Sequence, residues 1–255
     1  MSGPKAIKAV AADHSFGPRS MCATSAACSI EPFDKANTKL TSQYSQRDSN
    51  SLFTTVISFE LAVGFGGLIL GLLIGPEARL YVPQLSETKL IGQGLLWGTV
   101  AAIPMTLVAL ALSTLPLESI RALHRVALRQ LSPLFAQFTG VQLVLCAVAA
   151  GVCEEIFFRG WLQCLMTGPI DSNAPWQPHV ILGVVIAGLV FGICHALTPM
   201  YFVLASLAGT FLGVLLVESS NLLIPITAHA VYDIIMLIRL RRMKPDDLLS
   251  EPNQS

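Results

Sequence analysis

Apolar residues in this chain fall into six blocks of roughly 20 residues, not at the spacing of a helix that buries only one face. An apolar helix of about 20 residues spans the hydrocarbon core of a bilayer. The pattern therefore predicts an all-α integral membrane protein with about six transmembrane helices. The predicted spans are about 52–75, 91–115, 137–166, 180–197, 200–217 and 222–240.

A different pattern occupies residues 117–135, between the second and third spans. Arg121, Arg125 and Arg129 recur at every fourth residue, and the other positions include the apolar residues Ile120, Leu123, Leu128 and Leu131. A basic face opposite an apolar face is typical of a helix that lies in the membrane interface. We therefore expect one interfacial amphipathic helix here.

The remaining segments are polar and set the domain organisation. Residues 1–50 are rich in Ser, Thr, Ala and Lys without a sustained period and predict a disordered N-terminal tail. Two transmembrane helices and the interfacial helix occupy 51–136, a membrane core with the last four spans occupies 137–242, and a polar tail occupies 243–255. Lys and Arg outside the spans concentrate on the side of both termini, which predicts cytoplasmic N- and C-termini.

Composition supports a membrane protein and limits its partners. The chain is 53% hydrophobic and 13% charged, whereas soluble domains are about 25% charged. Its net charge of zero gives no electrostatic footprint for nucleic acid. Membrane lipid and a peptide or protein near the membrane are the expected partners, and the sequence sets no oligomeric state.

Cys194 does not form a catalytic Cys–His pair with the adjacent His195, because neighbouring helical residues point about 100° apart.

Ionisable side chains inside the spans mark the candidate site. A charge at the bilayer centre costs about 3 kcal/mol on insertion scales, so such groups should meet one another inside the bundle. Glu155 and Arg159 are four residues apart and share a helix face. Their pairing leaves Glu154 free as a candidate general base. Glu60 is the remaining intramembrane acid; it lies two turns from the end of its span, which favours contact with the interface and leaves a role in the site as the alternative.

Two further spans each carry a histidine. Phe191 precedes His195 by four residues and Asp233 follows His229 by four, so each pair shares a helix face. Together with Glu154 these groups match the oxygen and nitrogen ligands of a catalytic zinc site, with Glu154, His195 and His229 as candidate metal ligands. They equally suit a metal-free site in which Glu and His hold the attacking water. Purely structural hydrogen bonds are the third possibility.

Three motifs follow one another on successive spans: Glu-Glu-x-x-x-Arg at 154–159, Phe-x-x-x-His at 191–195 and His-x-x-x-Asp at 229–233. In this order the chain resembles the CAAX-protease and bacteriocin-processing family of intramembrane endopeptidases, also called the Abi family, over about residues 137–240. The resemblance implies that Glu154 activates water with help from His195, and that His229 and Asp233 stabilise the oxyanion. Glu155, Arg159 and Phe191 would support the site.

The third motif differs from that of the eukaryotic prenyl-protein members, which end it in Asn where this chain has Asp233. An Asn amide can donate to an oxyanion, whereas an ionised Asp cannot. Asp233 is therefore protonated, or orients His229, or binds metal. The second reading is favoured because it leaves the His229 donor aimed at the oxyanion. The resemblance leaves both a zinc cofactor and a metal-free glutamate mechanism open.

These observations predict an intramembrane endopeptidase that hydrolyses a peptide bond of a membrane-associated substrate. Short loops and compact size favour a bacterial member in the plasma membrane. The competing hypothesis is a non-proteolytic protein, such as a proton-coupled carrier, a scaffold or an immunity protein, because buried Glu, His and Asp also build proton relays. One feature fits poorly: Glu154 and His229 lie near mid-span but His195 lies near a span end, an offset of about 10 Å.

Overall fold

The computed structural model describes residues 33–168 and 174–243, with side chains from Ser49 onward. The described residues from Thr41 onward belong to one compact unit. Of the other unit, Met1–Leu40, only residues 33–40 are described, as the beginning of the first helix.

Helices make up nearly all of the described chain. In order they are α1 (Phe33–Ile74), α2 (Thr88–Ser113), α3 (Glu118–Val126), α4 (Ser132–Ala136), α5 (Gly140–Glu155), α6 (Cys164–Thr167), α7 (Pro178–Cys194), α8 (Pro199–Ser219) and α9 (Leu223–Arg242). Two π-helical segments, Ala127–Leu131 and Ile156–Gln163, join α3 to α4 and α5 to α6. The second of these makes α5 and α6 one continuous rod.

Six apolar helical segments lie where the six spans are predicted. Their positions confirm the all-α membrane fold. Among the described residues, five are long and apolar enough to cross a membrane: Ser49–Ile74, Thr88–Ser113, Gly140–Thr167, Pro199–Ser219 and Leu223–Arg242. Helix α7 is also apolar but has only 17 residues, or about 25 Å of helix. It ends at Cys194, before the predicted limit of that span at residue 197.

Helix α1 begins earlier than the composition predicts. Residues 33–50 are helical, although their polar composition predicts a disordered tail. This stretch contains no Gly or Pro, so nothing in its backbone chemistry ends the helix before the apolar block. Residues 1–32 and 244–255, which hold most of the two predicted tails, lie outside the described residues.

The predicted interfacial helix over 117–135 is divided into α3, the first π-helical segment and α4. Ile120 is buried on one side of α3. On the other side, Arg121 and Arg125 contact Glu118 at 2.9 and 2.6 Å. Hydrogen bonds from these two guanidinium groups hold the pKa of Glu118 below its ordinary value. The two faces of an amphipathic helix are present, and its placement in the interface stays a prediction.

Glycines let α1 run directly along α5. A Cβ atom added at Gly64 would lie 3.0 Å from Cβ of Cys153, and one at Gly67 would lie 2.8 Å from Cα of Phe157. Higher residue numbers in α1 meet higher numbers in α5 and its continuation, so the two helices run in the same direction. Small residues at such contacts allow close backbone packing in lipid.

Helix α9 packs on α5 in the opposite direction. A Cβ atom at Gly151 would lie 2.9 Å from the backbone nitrogen of Ala230. Further along α9, Leu237 packs against the cluster of Phe138, Leu143 and Cys146, which lies nearer the beginning of α5. Helix α5 therefore contacts both α1 and α9, and its last residues face neighbours on more than one side.

The second π-helical segment makes the tightest backbone contact with the loop after α1. A Cβ atom at Gly160 would collide with the carbonyl oxygen of Ala78. Because that oxygen belongs to the backbone, it cannot move aside as the tip of a flexible side chain would. Segments of π-helix are rare in proteins, and those that occur are often found at functional sites. This one begins directly after Glu155.

We predict that Gly160→Ala destabilises the protein by about 1–3 kcal/mol, the usual cost of overpacking. Gly66→Ala is the matched control, because a Cβ atom there meets nothing within 4 Å. The control should keep or slightly raise the melting temperature, since Ala favours helix over Gly. Thermal unfolding of both variants in one detergent decides the matter, and equal melting temperatures would contradict the close contact at Gly160.

Candidate active site

The two adjacent glutamates close α5, immediately before the π-helical segment. Glu154 is 9% exposed and Glu155 is fully buried. Because neighbouring helical residues point in different directions, the two carboxylates contact different partners. Glu155 faces Arg159 and α9, whereas Glu154 faces the end of α7.

Arg159 forms the predicted ion pair with Glu155 and also reaches a third helix. Its Nη1 donates to Oε1 of Glu155 at 2.7 Å, and its Nη2 donates to the carbonyl oxygen of Gly209 at 2.7 Å. The side chains of both Arg159 and Glu155 are 0% exposed. The guanidinium carbon lies 4.7 Å from the ring centroid of Phe191, within the range of a cation–π contact. Arg159 thus ties α5, α7 and α8 together.

His229 lies between two carboxylates. Its Nδ1 is 2.8 Å from Oε1 of Glu155, and its Nε2 is 3.4 Å from Oδ2 of Asp233. Ionised carboxylate oxygens only accept hydrogen bonds, so each ring nitrogen faces an acceptor. Oε1 of Glu155 therefore serves both Arg159 and His229, which joins the first and third motifs through one atom.

His195 is held at the end of α7 by its own helix. Its Nδ1 is 2.8 Å from the carbonyl oxygen of Phe191. A carbonyl oxygen accepts, so Nδ1 carries the hydrogen of that bond. The other nitrogen, Nε2, faces Oε2 of Glu154 at 3.6 Å, which is too long for a direct hydrogen bond.

The ring of Phe191 separates the two histidines. It stacks on His195, with ring centroids 4.3 Å apart and an interplanar angle of 24°. It meets His229 edge to face, with centroids 5.8 Å apart and an angle of 72°. Phe191 therefore contributes its carbonyl to one histidine and its ring to both, a larger part than a supporting residue on the same helix face.

All three motifs converge, and the expected offset of His195 is absent. The short α7 ends where the glutamates lie, so a residue at its end reaches the same level as Glu154. Helix α7 has only 17 residues and stops at Cys194, and His195 directly after it approaches Glu154 to 3.6 Å.

A comparison with known protein families matches the segment that contains the three motifs. Residues 136–235 match the family model described as type II CAAX prenyl endopeptidase, Rce1-like. This segment is similar to the Rce1-like family. The resemblance inferred from the motifs is thereby confirmed. No match was found among curated proteins or among solved structures.

The Rce1-like segment contains the whole predicted site and indicates an enzyme of the CAAX-protease type. The site residues inside it are Glu154, Glu155, Arg159, Phe191, His195, His229 and Asp233. The match covers less than half of the chain. Helices α1, α2 and α3 lie outside it, so the family assignment says nothing of their contribution.

The predicted zinc ligands do not fit a three-ligand site in this arrangement. Both nitrogens of His229 face carboxylates, which leaves no lone pair directed at an ion shared with Glu154 and His195. Within residues 49–168 and 174–243, no three His, Cys, Asp or Glu side chains are placed to hold one ion together. Metal dependence stays a prediction.

Several contacts could not be inferred from spacing. The bond from His229 to Glu155 joins α9 to α5, and the bond from Arg159 to the Gly209 carbonyl joins the π-helical segment to α8. No local pattern reports a contact between distant helices. The contact of His195 with the Phe191 carbonyl could have been predicted from the sequence. A residue four positions earlier in a helix presents its carbonyl oxygen to the later side chain.

We predict that Arg159→Met destabilises the protein by about 3–5 kcal/mol, because it leaves the buried charge of Glu155 without its main counter-ion. The control is Arg79→Met, whose side chain is 62% exposed and pairs with Glu77. The control should change the free energy of unfolding by less than about 1 kcal/mol. Denaturant unfolding in matched micelles measures both, and wild-type stability for Arg159→Met would refute the buried connection.

Proposed function

We propose that this protein is an intramembrane endopeptidase in which Glu154 and His195 together hold the water that attacks the substrate. One observation carries the proposal. Oε2 of Glu154 and Nε2 of His195 lie 3.6 Å apart, and both are hydrogen-bond acceptors when His195 is neutral. Two acceptors do not bond each other, whereas a water can donate one hydrogen to each.

The hydrogen on Nδ1 sets this arrangement. Because Nδ1 of His195 donates to the Phe191 carbonyl, neutral His195 leaves its lone pair on Nε2, toward Glu154. Ring stacking on Phe191 further restricts rotation of the imidazole. A water that donates to both groups presents its oxygen lone pairs away from them, toward an incoming peptide carbonyl.

The proposed reaction needs one base that later acts as an acid. Glu154 takes a proton from the water as the water oxygen bonds to the peptide carbonyl carbon. The carbonyl oxygen then carries the negative charge of the tetrahedral intermediate. When the C–N bond breaks, Glu154 returns the proton to the leaving amine nitrogen. The products are a carboxylic acid and an amine, and Glu154 is restored.

His229 is the proposed stabiliser of the oxyanion. With a carboxylate facing each nitrogen, the ring is set to carry both N–H groups and a positive charge. The bond to Glu155 is short at 2.8 Å, whereas the contact with Asp233 is long at 3.4 Å. The Nε2–H group therefore stays available to a developing oxyanion, while the bond to Glu155 holds the ring.

The substrate class follows from the family. The Rce1-like description names a CAAX prenyl endopeptidase, and we propose a membrane-associated peptide of this type as the substrate. A farnesylated peptide that ends in a CAAX sequence is the appropriate probe. Its hydrolysis releases the C-terminal tripeptide, which chromatography detects without any label.

We predict that Glu154→Gln, His195→Ala and His229→Ala each lower kcat for the farnesylated peptide by at least about 100-fold, the usual share of general acid–base catalysis. Cys194→Ala is the control, because Cys194 is exposed and adjacent to His195 but has no place in this mechanism. It should keep wild-type kcat. Folded wild-type protein that releases no tripeptide, or three variants with normal turnover, would falsify the proposal.

We predict that Asp233→Asn keeps measurable activity with an altered kcat, because an amide oxygen can still accept the bond from Nε2 of His229. The measurement is kcat and KM with the same peptide, with metal content determined on the same preparations. Complete loss of activity together with loss of a bound metal ion would instead make Asp233 a metal ligand.

A further inference from the structure

Helix α1 carries a buried acid that the mechanism does not use. Glu60 is 9% exposed. Its Oε2 is buried without a hydrogen-bond partner in the described part of the chain. An intramembrane acid is costly, and an unpaired buried polar atom requires an explanation. Since α1 lies outside the Rce1-like segment, the family match does not supply one.

The packing of α1 directs Glu60 toward the site. One turn after Glu60, Gly64 packs against Cys153, the residue before Glu154. Glu60 therefore lies on the face of α1 that contacts α5. Its carboxyl group is within electrostatic range of four groups on α5, α7 and α9: Glu154, His229, Asp233 and His195. These four are the residues proposed for the reaction.

Glu60 has no ion-pair partner in the described chain through which it could stabilise the helix bundle. No ion pair to Glu60 is found among residues 49–168 and 174–243, and Arg159, the cation of the site, is already bonded to Glu155 and Gly209. The oxygen that Glu60 leaves free has a counterpart in Oε2 of Glu154, which is also buried without a hydrogen-bond partner in the described chain. The two carboxyl groups interact electrostatically, and one water that donates to both free oxygens would satisfy both.

We propose that Glu60 is a positioning residue for this hydrolysis, which fixes the carboxylate of Glu154 through a bridging water. The inference rests on the proposed function and adds a residue from α1 to it. Helix α1 then completes the wall of the site opposite α7 and α9. The active enzyme would need α1, and the Rce1-like segment alone would be incomplete.

The test compares Glu60→Leu with Glu60→Gln, using the farnesylated peptide. Glu60→Leu should lower kcat by about 10- to 100-fold, as expected when a catalytic group is slightly misplaced, and leave KM unchanged. Glu60→Gln should retain most of kcat, since an amide still bonds water. The melting temperature of Glu60→Leu should not fall, because no protein partner is lost and an apolar side chain replaces a buried acid.

Thr106→Val is the matched control. Thr106 in α2 is also 9% exposed and its Oγ1 is also buried without a partner in the described chain. The control should keep wild-type kcat. A Glu60→Leu protein with wild-type kcat per folded molecule, or with a lowered melting temperature and unchanged kcat, overturns the positioning role.

Glu154→Gln measured in parallel separates this inference from the proposed function. If Glu154→Gln is inactive while Glu60→Leu turns over normally, only the role of Glu60 fails. If Glu154→Gln is fully active, the proposed function fails and the role of Glu60 fails with it.

Discussion

One oxygen atom, Oε1 of Glu155, holds the site together. It accepts hydrogen bonds from Arg159 and contacts His229, and Arg159 in turn reaches the Gly209 carbonyl. Three helices that are distant in sequence are thereby fixed at one level in the bundle. In an apolar environment the alternative for each of these groups is an unpaired polar atom, which is far more costly than in water. The same costs that exclude charge from lipid therefore bring these groups together.

Because Glu155 forms the structural contacts with Arg159 and His229, the neighbouring Glu154 is not bound in them. Glu154 has no direct hydrogen bond on Oε2 among the described side chains, and it faces His195 across a gap suited to a water. Adjacent positions on α5 thus separate support from chemistry through helix geometry alone. The short α7 contributes equally, since it ends at Cys194 and delivers His195 to the level of the glutamates.

Local spacing predicted much of this arrangement. Blocks of apolar residues located the spans, and the four-residue intervals predicted the contacts of Arg159 with Glu155 and of Asp233 with His229, because such pairs share a helix face. Spacing did not predict the π-helical segment after Glu155 or the bond from Glu155 to His229. Both depend on tertiary packing against the Ala78 loop and α9, which no local period encodes. The helical start at Phe33 was missed for a related reason, since polar composition alone does not prevent a helix from continuing.

The central claim is that Glu154 and His195 act on one water molecule. A double-mutant cycle with Glu154→Gln, His195→Gln and their combination, measured as kcat/KM for the farnesylated peptide, tests it most directly. Groups that act as a unit give strongly non-additive losses, so the double variant should be about as slow as the slower single variant. Losses that simply multiply would show that the two residues act independently, and the account of a shared water would be wrong.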